Sequence, residues 1–147
     1  SPEFFYGNET NVKTLFQHAH NETILIQFST DLTGCSAYAQ FFGLQNNCVA
    51  ASSEGEVNFP IYVQGNVNKM YCGQTNDASC TYQFTLRKNL ANETDFQCTS
   101  VNNGACLDDN GYVTFNVGDN ITIWSGDMGA GCATTIGASC LLYYTVA

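Results

Sequence analysis

One cysteine spacing recurs three times in this chain. Cys72 and Cys80, Cys98 and Cys106, and Cys132 and Cys140 each enclose seven residues, and the enclosed stretches GQTNDAS, TSVNNGA and ATTIGAS are small or polar. The other two cysteines, Cys35 and Cys48, flank the longer stretch SAYAQFFGLQNN. Zinc frameworks place paired cysteines two to four residues apart, and no such cysteine pair exists here. An even count of eight cysteines in this pattern points to disulfides formed in an oxidising compartment. Neighbour pairing (35–48, 72–80, 98–106, 132–140) is the simplest of the roughly 105 connectivities that eight cysteines allow. Loops this short would each contribute about 2.5–3 kcal/mol by the chain-entropy model.

Apolar residues between the cysteines alternate with period two, the signature of half-buried strands, and no stretch carries a helical stripe. Ile24, Ile26 and Phe28 share one face with Leu25 on the other. Tyr82, Phe84 and Leu86 repeat the pattern, as do Val113, Phe115 and Val117, all expected to point inward. Pro60 interrupts the alternation of Val57, Phe59, Ile61 and Val63; because proline cannot donate to a ladder, this segment reads as an edge strand. Gly65–Asn68 reads as a turn before a short strand Lys69–Cys72, and Lys88–Thr94 as a polar connection. Leu141–Val146 is apolar on both faces, which suits a covered central strand. About eight to ten short strands at regular spacing predict an all-β, disulfide-stapled antiparallel sandwich of jelly-roll or immunoglobulin-like topology. Residues 1–4, SPEF, read as a cloning scar, and residues 5–147 as a single extracellular domain.

Charge removes whole classes of partner. Lys13, Lys69, Arg87 and Lys88 are the only firm cations in a chain of net charge −9. A nucleic-acid binder needs a basic face, which this chain cannot build. Anionic membrane surfaces are disfavoured for the same reason, and no apolar run is long enough for a spanning helix. Four Asn-X-Ser/Thr sequons, at Asn8, Asn21, Asn92 and Asn120, agree with secretion, although about two or three are expected by chance in a chain so rich in Asn, Ser and Thr.

Candidate chemistry is sparse. Asp108, Asp109 and Asn110 precede Gly111 in a turn-like stretch. A helix-loop-helix calcium reading fails because its first and last ligand positions fall on Cys106 and Val117. A looser calcium loop would use Asp108, Asp109 and Asn110 with Asp119 or Asp127; an ordinary turn needs the same residue types. His18 and His20 have metal-compatible spacing but no third ligand nearby. The glycine-rich stretch 125–131 has Met128 where a serine nucleophile would stand. With every cysteine paired no thiol nucleophile is left, so the expectation is a non-enzyme without cofactor or metal. A secreted hydrolase with two carboxylates from distant strands is the outside alternative. Trp124, the only tryptophan, ends an expected strand; an indole there either packs in the core or offers a stacking face. The resulting expectation is a recognition module, acting in cell-surface adhesion or protein-partner binding through its end loops. A lectin-like domain is the alternative, with Trp124 as platform and Asp108, Asp109, Asn110 and Asp127 holding hydroxyls.

Overall fold

The computed structural model describes residues 3–5, 22–29, 39–42, 48–50, 58–75, 81–101, 104–127 and 137–147. These contain strands and turns and no helix. In chain order the strands are β1 (Glu3–Phe5), β2 (Thr23–Ser29), β3 (Ala39–Phe42), β4 (Cys48–Ala50), β5 (Phe59–Pro60) and β6 (Gly65–Thr75). They continue with β7 (Thr81–Lys88), β8 (Ala91–Val101), β9 (Ala105–Asp108), β10 (Val113–Phe115), β11 (Asn120–Asp127) and β12 (Gly137–Val146).

Two sheets form. Sheet A runs β1-β2-β12-β6-β10, with β9 also on β6; sheet B runs β4-β3-β11-β7-β8, with β5 on β11. All pairings are antiparallel except β1 with β2. If β9 and β10 are taken as one interrupted edge strand, sheet A has β2, β12, β6 and β9/β10 side by side, and sheet B has β3, β11, β7 and β8. Followed along the chain, these eight strands visit the sheets in the order A, B, A, B, B, A, B, A, which is the jelly-roll arrangement and not the immunoglobulin one.

The inner faces make one core. From sheet A come Ile24, Ile26, Phe28, Met70, Cys72, Phe115, Cys140, Leu142 and Tyr144; from sheet B come Tyr82, Phe84, Leu86, Ile121 and Ile123. The period-two pattern on β2 and β7 therefore faces inward as expected. Phe59 and Ile61 are buried on either side of Pro60, and β5 is only a two-residue contact with β11, in keeping with the proline.

Glu3, Phe4 and Phe5 pair with Ile24, Leu25 and Ile26 to form β1. Several expectations are corrected. Gly65–Asn68 does not turn the chain: it belongs to the eleven-residue central strand β6. The register of β6 with β12 jumps from Tyr143↔Lys69 to Tyr144↔Val67, so Asn68 is an extra residue. That bulge moves the inward phase from Val67 to Met70 and Cys72, breaking the alternation that a sequence reading depends on. Val117 is not inward; its strand stops at Phe115, and Val117 stands 68% exposed on a turn. Lys88–Thr94 is not a polar connection: Lys88 ends β7, Asn89 and Leu90 make a two-residue hairpin turn, and β8 begins at Ala91.

The disulfide pairing is also corrected. Cys98 bonds Cys106 as expected, but Cys72 bonds Cys140, 68 residues away, in place of Cys80 and Cys132. The reason is lateral: Cys72 and Cys140 are directly opposite on adjacent strands β6 and β12, with Cα atoms 4.1 Å apart. Cys98–Cys106 joins β8 of sheet B to β9 of sheet A and so ties the two layers together. No cysteine among the described residues is free. Cys35, Cys80 and Cys132 lie outside the described residues, as does the side chain of Cys48.

Candidate functional site

The stretch Asp108–Asn110 was expected to reverse the chain; it does not. β9 and β10 both run antiparallel to β6, pairing Asp108 with Met70 and Val113 with Val67. Four residues, 109–112, thus stand opposite two of β6, and the edge strand bulges outward. A second bulge faces it. In β8 the partner of Thr85 is Gln97 and the partner of Leu86 is Glu93, leaving residues 94–96 without a partner on β7. Asp108 joins the two bulges: Oδ2 accepts the Gln97 backbone N–H at 3.0 Å and Oδ1 accepts that of Asn110 at 3.2 Å. Gly111 lies against the Asp95 carbonyl and the buried Phe96 ring, where a Cβ would collide. The Asp108 carboxylate therefore satisfies backbone donors that the bulges release from the ladder. Asp109 and Asn110 are exposed beside it.

Trp124 is elsewhere. Its neighbours Ile123 and Ser125 point into the core, so the pleat turns the indole to the outer face of sheet B, where it is half-buried. The six-membered ring sits over the Cα of Gly126, in space that a side chain at 126 would take. Packing in the sandwich core, the commoner fate of a lone tryptophan, is thereby overturned. Along the same row, Trp124 is opposite Thr85, and Thr85 is opposite Gln97, whose Nε2 donates to Thr85 Oγ1 at 3.4 Å. Strands β7 and β8 separate Trp124 from the Asp108 bulge, so the fold does not bring these candidates into one site. Asp127 ends β11 opposite Tyr82, and its side chain is outside the described residues. Asp119 belongs to a different turn and does not reach the bulge as a calcium helper would.

That turn carries a polar network of its own. Asp119 accepts the Asn89 side-chain N–H at 2.9 Å and the Asn116 backbone N–H at 2.8 Å, and Lys88 Nζ stands 3.7 Å away. These donors, the Asn89 amide foremost, hold the carboxyl below the ordinary Asp value against a small opposing effect of burial. Asn89 also accepts from the Asn120 backbone N–H at 2.8 Å and donates its own N–H to the Asn120 carbonyl at 2.9 Å. Lys88 donates to the Thr114 carbonyl at 2.7 Å and lies 5.4 Å from the Phe115 ring centre. Two turns are thus locked together: the β7–β8 hairpin at Asn89–Leu90 and the β10–β11 turn at Asn116–Asp119.

Each of these turns carries an aliphatic side chain in water. Leu90 is 57% and Val117 68% exposed. Asn89 and Leu90 have φ of +52° and +67°, the pair of positive angles of a type I′ hairpin. Asparagine tolerates that conformation; leucine does so at a cost that glycine would avoid. The sequence marks neither Leu90 nor Val117 as a contact residue, and Val117 reads there as an inward strand residue. An aliphatic residue in a tract of Asn, Lys and Glu, where a hairpin wants Asn-Gly, was the only available signal.

Elsewhere, Tyr71 and Leu107 are opposite each other on the outer face of sheet A and both about half exposed. In the core, Tyr144 donates to the Val63 carbonyl, and burial, with a smaller contribution from the Asp119 charge, pushes its phenol well above the ordinary tyrosine value. Asn92 is exposed on β8 and Asn120 half-buried at the start of β11, while Asn8, Asn21, His18 and His20 lie outside the described residues. Among the described residues no three His, Cys, Asp or Glu side chains converge as a metal site, and no helix is long and apolar enough to cross a membrane.

Fold and surface together define a disulfide-stapled jelly-roll domain, and its disulfides are consistent with an extracellular or otherwise oxidising environment. No protein-family model matches the sequence, and no curated protein matches it significantly.

Proposed function

We propose that this domain is a secreted or cell-surface recognition module without catalytic activity, of the adhesion or receptor kind, and that it meets a protein partner through the end of the sandwich that carries the Asn89–Leu90 and Asn116–Asp119 turns. The observation that carries this reading is the exposed pair Leu90 and Val117 on two mutually hydrogen-bonded turns, with Leu90 in a backbone conformation unfavourable for it. Strain retained at an exposed residue that does not serve the core is a mark of function. Rigid turns reduce the ordering cost of association, and aliphatic tips supply area to desolvate. The net charge of −9 favours a partner with basic groups around an apolar centre.

The test is a binding assay of the multimerised, oxidised domain on cell surfaces, comparing the wild type with Leu90→Gly and Val117→Ser. Glycine relieves the strain while removing the apolar tip, so the expected result is a fold at least as stable with binding reduced tenfold or more. Unchanged binding by both variants would sink the proposal.

A carbohydrate-binding reading has one observation in its favour: the indole of Trp124 rests over Gly126 on the outer face of sheet B and remains partly open to solvent. Such a ring is a platform on which a sugar face can stack. On this reading Trp124→Ala abolishes binding on a glycan array without loss of fold, and the Asp108 bulge plays no part. A wild-type domain that binds no glycan, with or without calcium, removes this alternative.

A further inference from the structure

Four cysteines stand in one connected group across the sandwich. On sheet A, Cys72 is directly opposite Cys140 on one side and directly opposite Cys106 on the other. Cys106 is bonded to Cys98 of sheet B. We infer that these residues form a thiol–disulfide relay, in which reduction of the inter-sheet bond Cys98–Cys106 passes inward and moves the surviving disulfide from Cys72–Cys140 to Cys72–Cys106.

The ladder geometry supports the exchange. The 4.1 Å Cα separation of Cys72 and Cys140 marks them as the close type of antiparallel pair, which does not exchange backbone hydrogen bonds. The N–H and C=O of a strand residue point to the same side, so those of Cys72 point toward β9. Cys72 and Cys106 are then a hydrogen-bonded pair, with Cα atoms about 5.5 Å apart, in the middle of the range a disulfide spans. Residues directly opposite in a ladder share a face of the sheet, so the three cysteines lie in one row across β12, β6 and β9. Cys106 stands on the side of Cys72 away from Cys140, where a nucleophile that displaces the Cys140 sulfur must approach.

Access sets the order of events. Cys72 and Cys140 are fully buried, whereas Cys98 keeps 9% of its surface and Cys106 is only partly buried on the edge strand β9. The reductant required is a dithiol, either a small molecule or a dithiol oxidoreductase. One of its thiolates attacks Cys98 Sγ, forming a mixed disulfide and releasing the Cys106 thiolate. Its second thiol then closes on the first, which leaves Cys98 as a thiol and the reductant as a disulfide. The Cys106 thiolate attacks Cys72 Sγ; the Cys72–Cys106 bond forms, the Cys72–Cys140 bond breaks, and the Cys140 thiolate takes a proton from water. The net change is two electrons and two protons transferred from the dithiol, with thiols left on Cys98 and Cys140. The surviving bond then lies wholly within sheet A, and the Cys98–Cys106 tie between the sheets is gone.

The test is limited reduction of the native protein with dithiothreitol, trapping with N-ethylmaleimide, and peptide mapping under non-reducing conditions. The relay predicts label on Cys98 and Cys140 together with a Cys72–Cys106 linked peptide, Cys140 carrying more label than Cys106. Label on Cys98 and Cys106 with Cys72–Cys140 intact would overturn it, and so would simultaneous labelling of all four. The variant Cys98→Ser, purified without reductant, gives a second reading: the relay predicts Cys72–Cys106 with labelled Cys140, and a variant that keeps Cys72–Cys140 with labelled Cys106 contradicts it.

Discussion

At Leu90 the chain accepts a left-handed backbone angle in a residue with a branched side chain, at a cost of about 1 kcal/mol relative to glycine. Leu90→Gly is therefore expected to raise unfolding stability by about 1 kcal/mol, read from the denaturant midpoint, even as it removes the proposed contact. Beside it, Asp119 links stability to pH. Its carboxyl is held below the ordinary value by Asn89, Asn116 and Lys88. A group depressed in the folded state stabilises above the unfolded value of about 3.9 and ceases to do so as pH falls through its folded value. The stability gap between wild type and Asp119→Asn should thus be widest near neutrality and narrow below about pH 4; a gap independent of pH would contradict the assignment. Tyr144 acts at the other extreme. Its raised phenol value means that stability falls as pH climbs above the unfolded value of about 10.

Among the elements, the bulges carry most of what distinguishes this sandwich. The edge of sheet A is broken at residues 109–112 and the facing edge of sheet B at residues 94–96. Bulged edges are poor templates for pairing with another chain, so the two breaks protect the sandwich from edge-to-edge association. They depend on Asp108. Asp108→Ala leaves the backbone N–H groups of Gln97 and Asn110 without their acceptor and should cost about 1–3 kcal/mol in thermal or denaturant unfolding, with Asp108→Asn recovering part of the loss. The residue types of this stretch were legible in the sequence, but their use was not. Asp, Asn and Gly serve a chain reversal and an outward bulge equally well, and the choice rests on whether the next strand returns to β6.

For the molecule as a whole, the disulfides differ in what they constrain. By the chain-entropy model, Cys72–Cys140, with a separation of 68 residues, contributes about 4.4 kcal/mol, whereas Cys98–Cys106, with a separation of 8, contributes about 2.5 kcal/mol. Replacing Cys72 and Cys140 together by alanine should accordingly lower the unfolding temperature by more than replacing Cys98 and Cys106. The reverse order would mean that fastening the two sheets together matters more than restricting the unfolded chain.

Short-range pattern alone was enough for local features: that the chain is built of strands, which side chains of β2 and β7 face inward, that β12 is central, and that the described disulfide cysteines are paired. These follow from alternation and composition over a few residues. The length of β6, the exposure of Val117 and the tight hairpin at Asn89–Leu90 were hidden because bulges and turns shift the phase of that alternation. Tertiary structure alone decided that the sheets are wound as a jelly roll, that Cys72 meets Cys140, that Trp124 faces outward, and that Leu90 and Val117 share one end of the sandwich. The physical reason is that a strand's lateral neighbours are set by packing and register between segments far apart in the chain, and equal spacings along the sequence carry no record of which strands lie side by side.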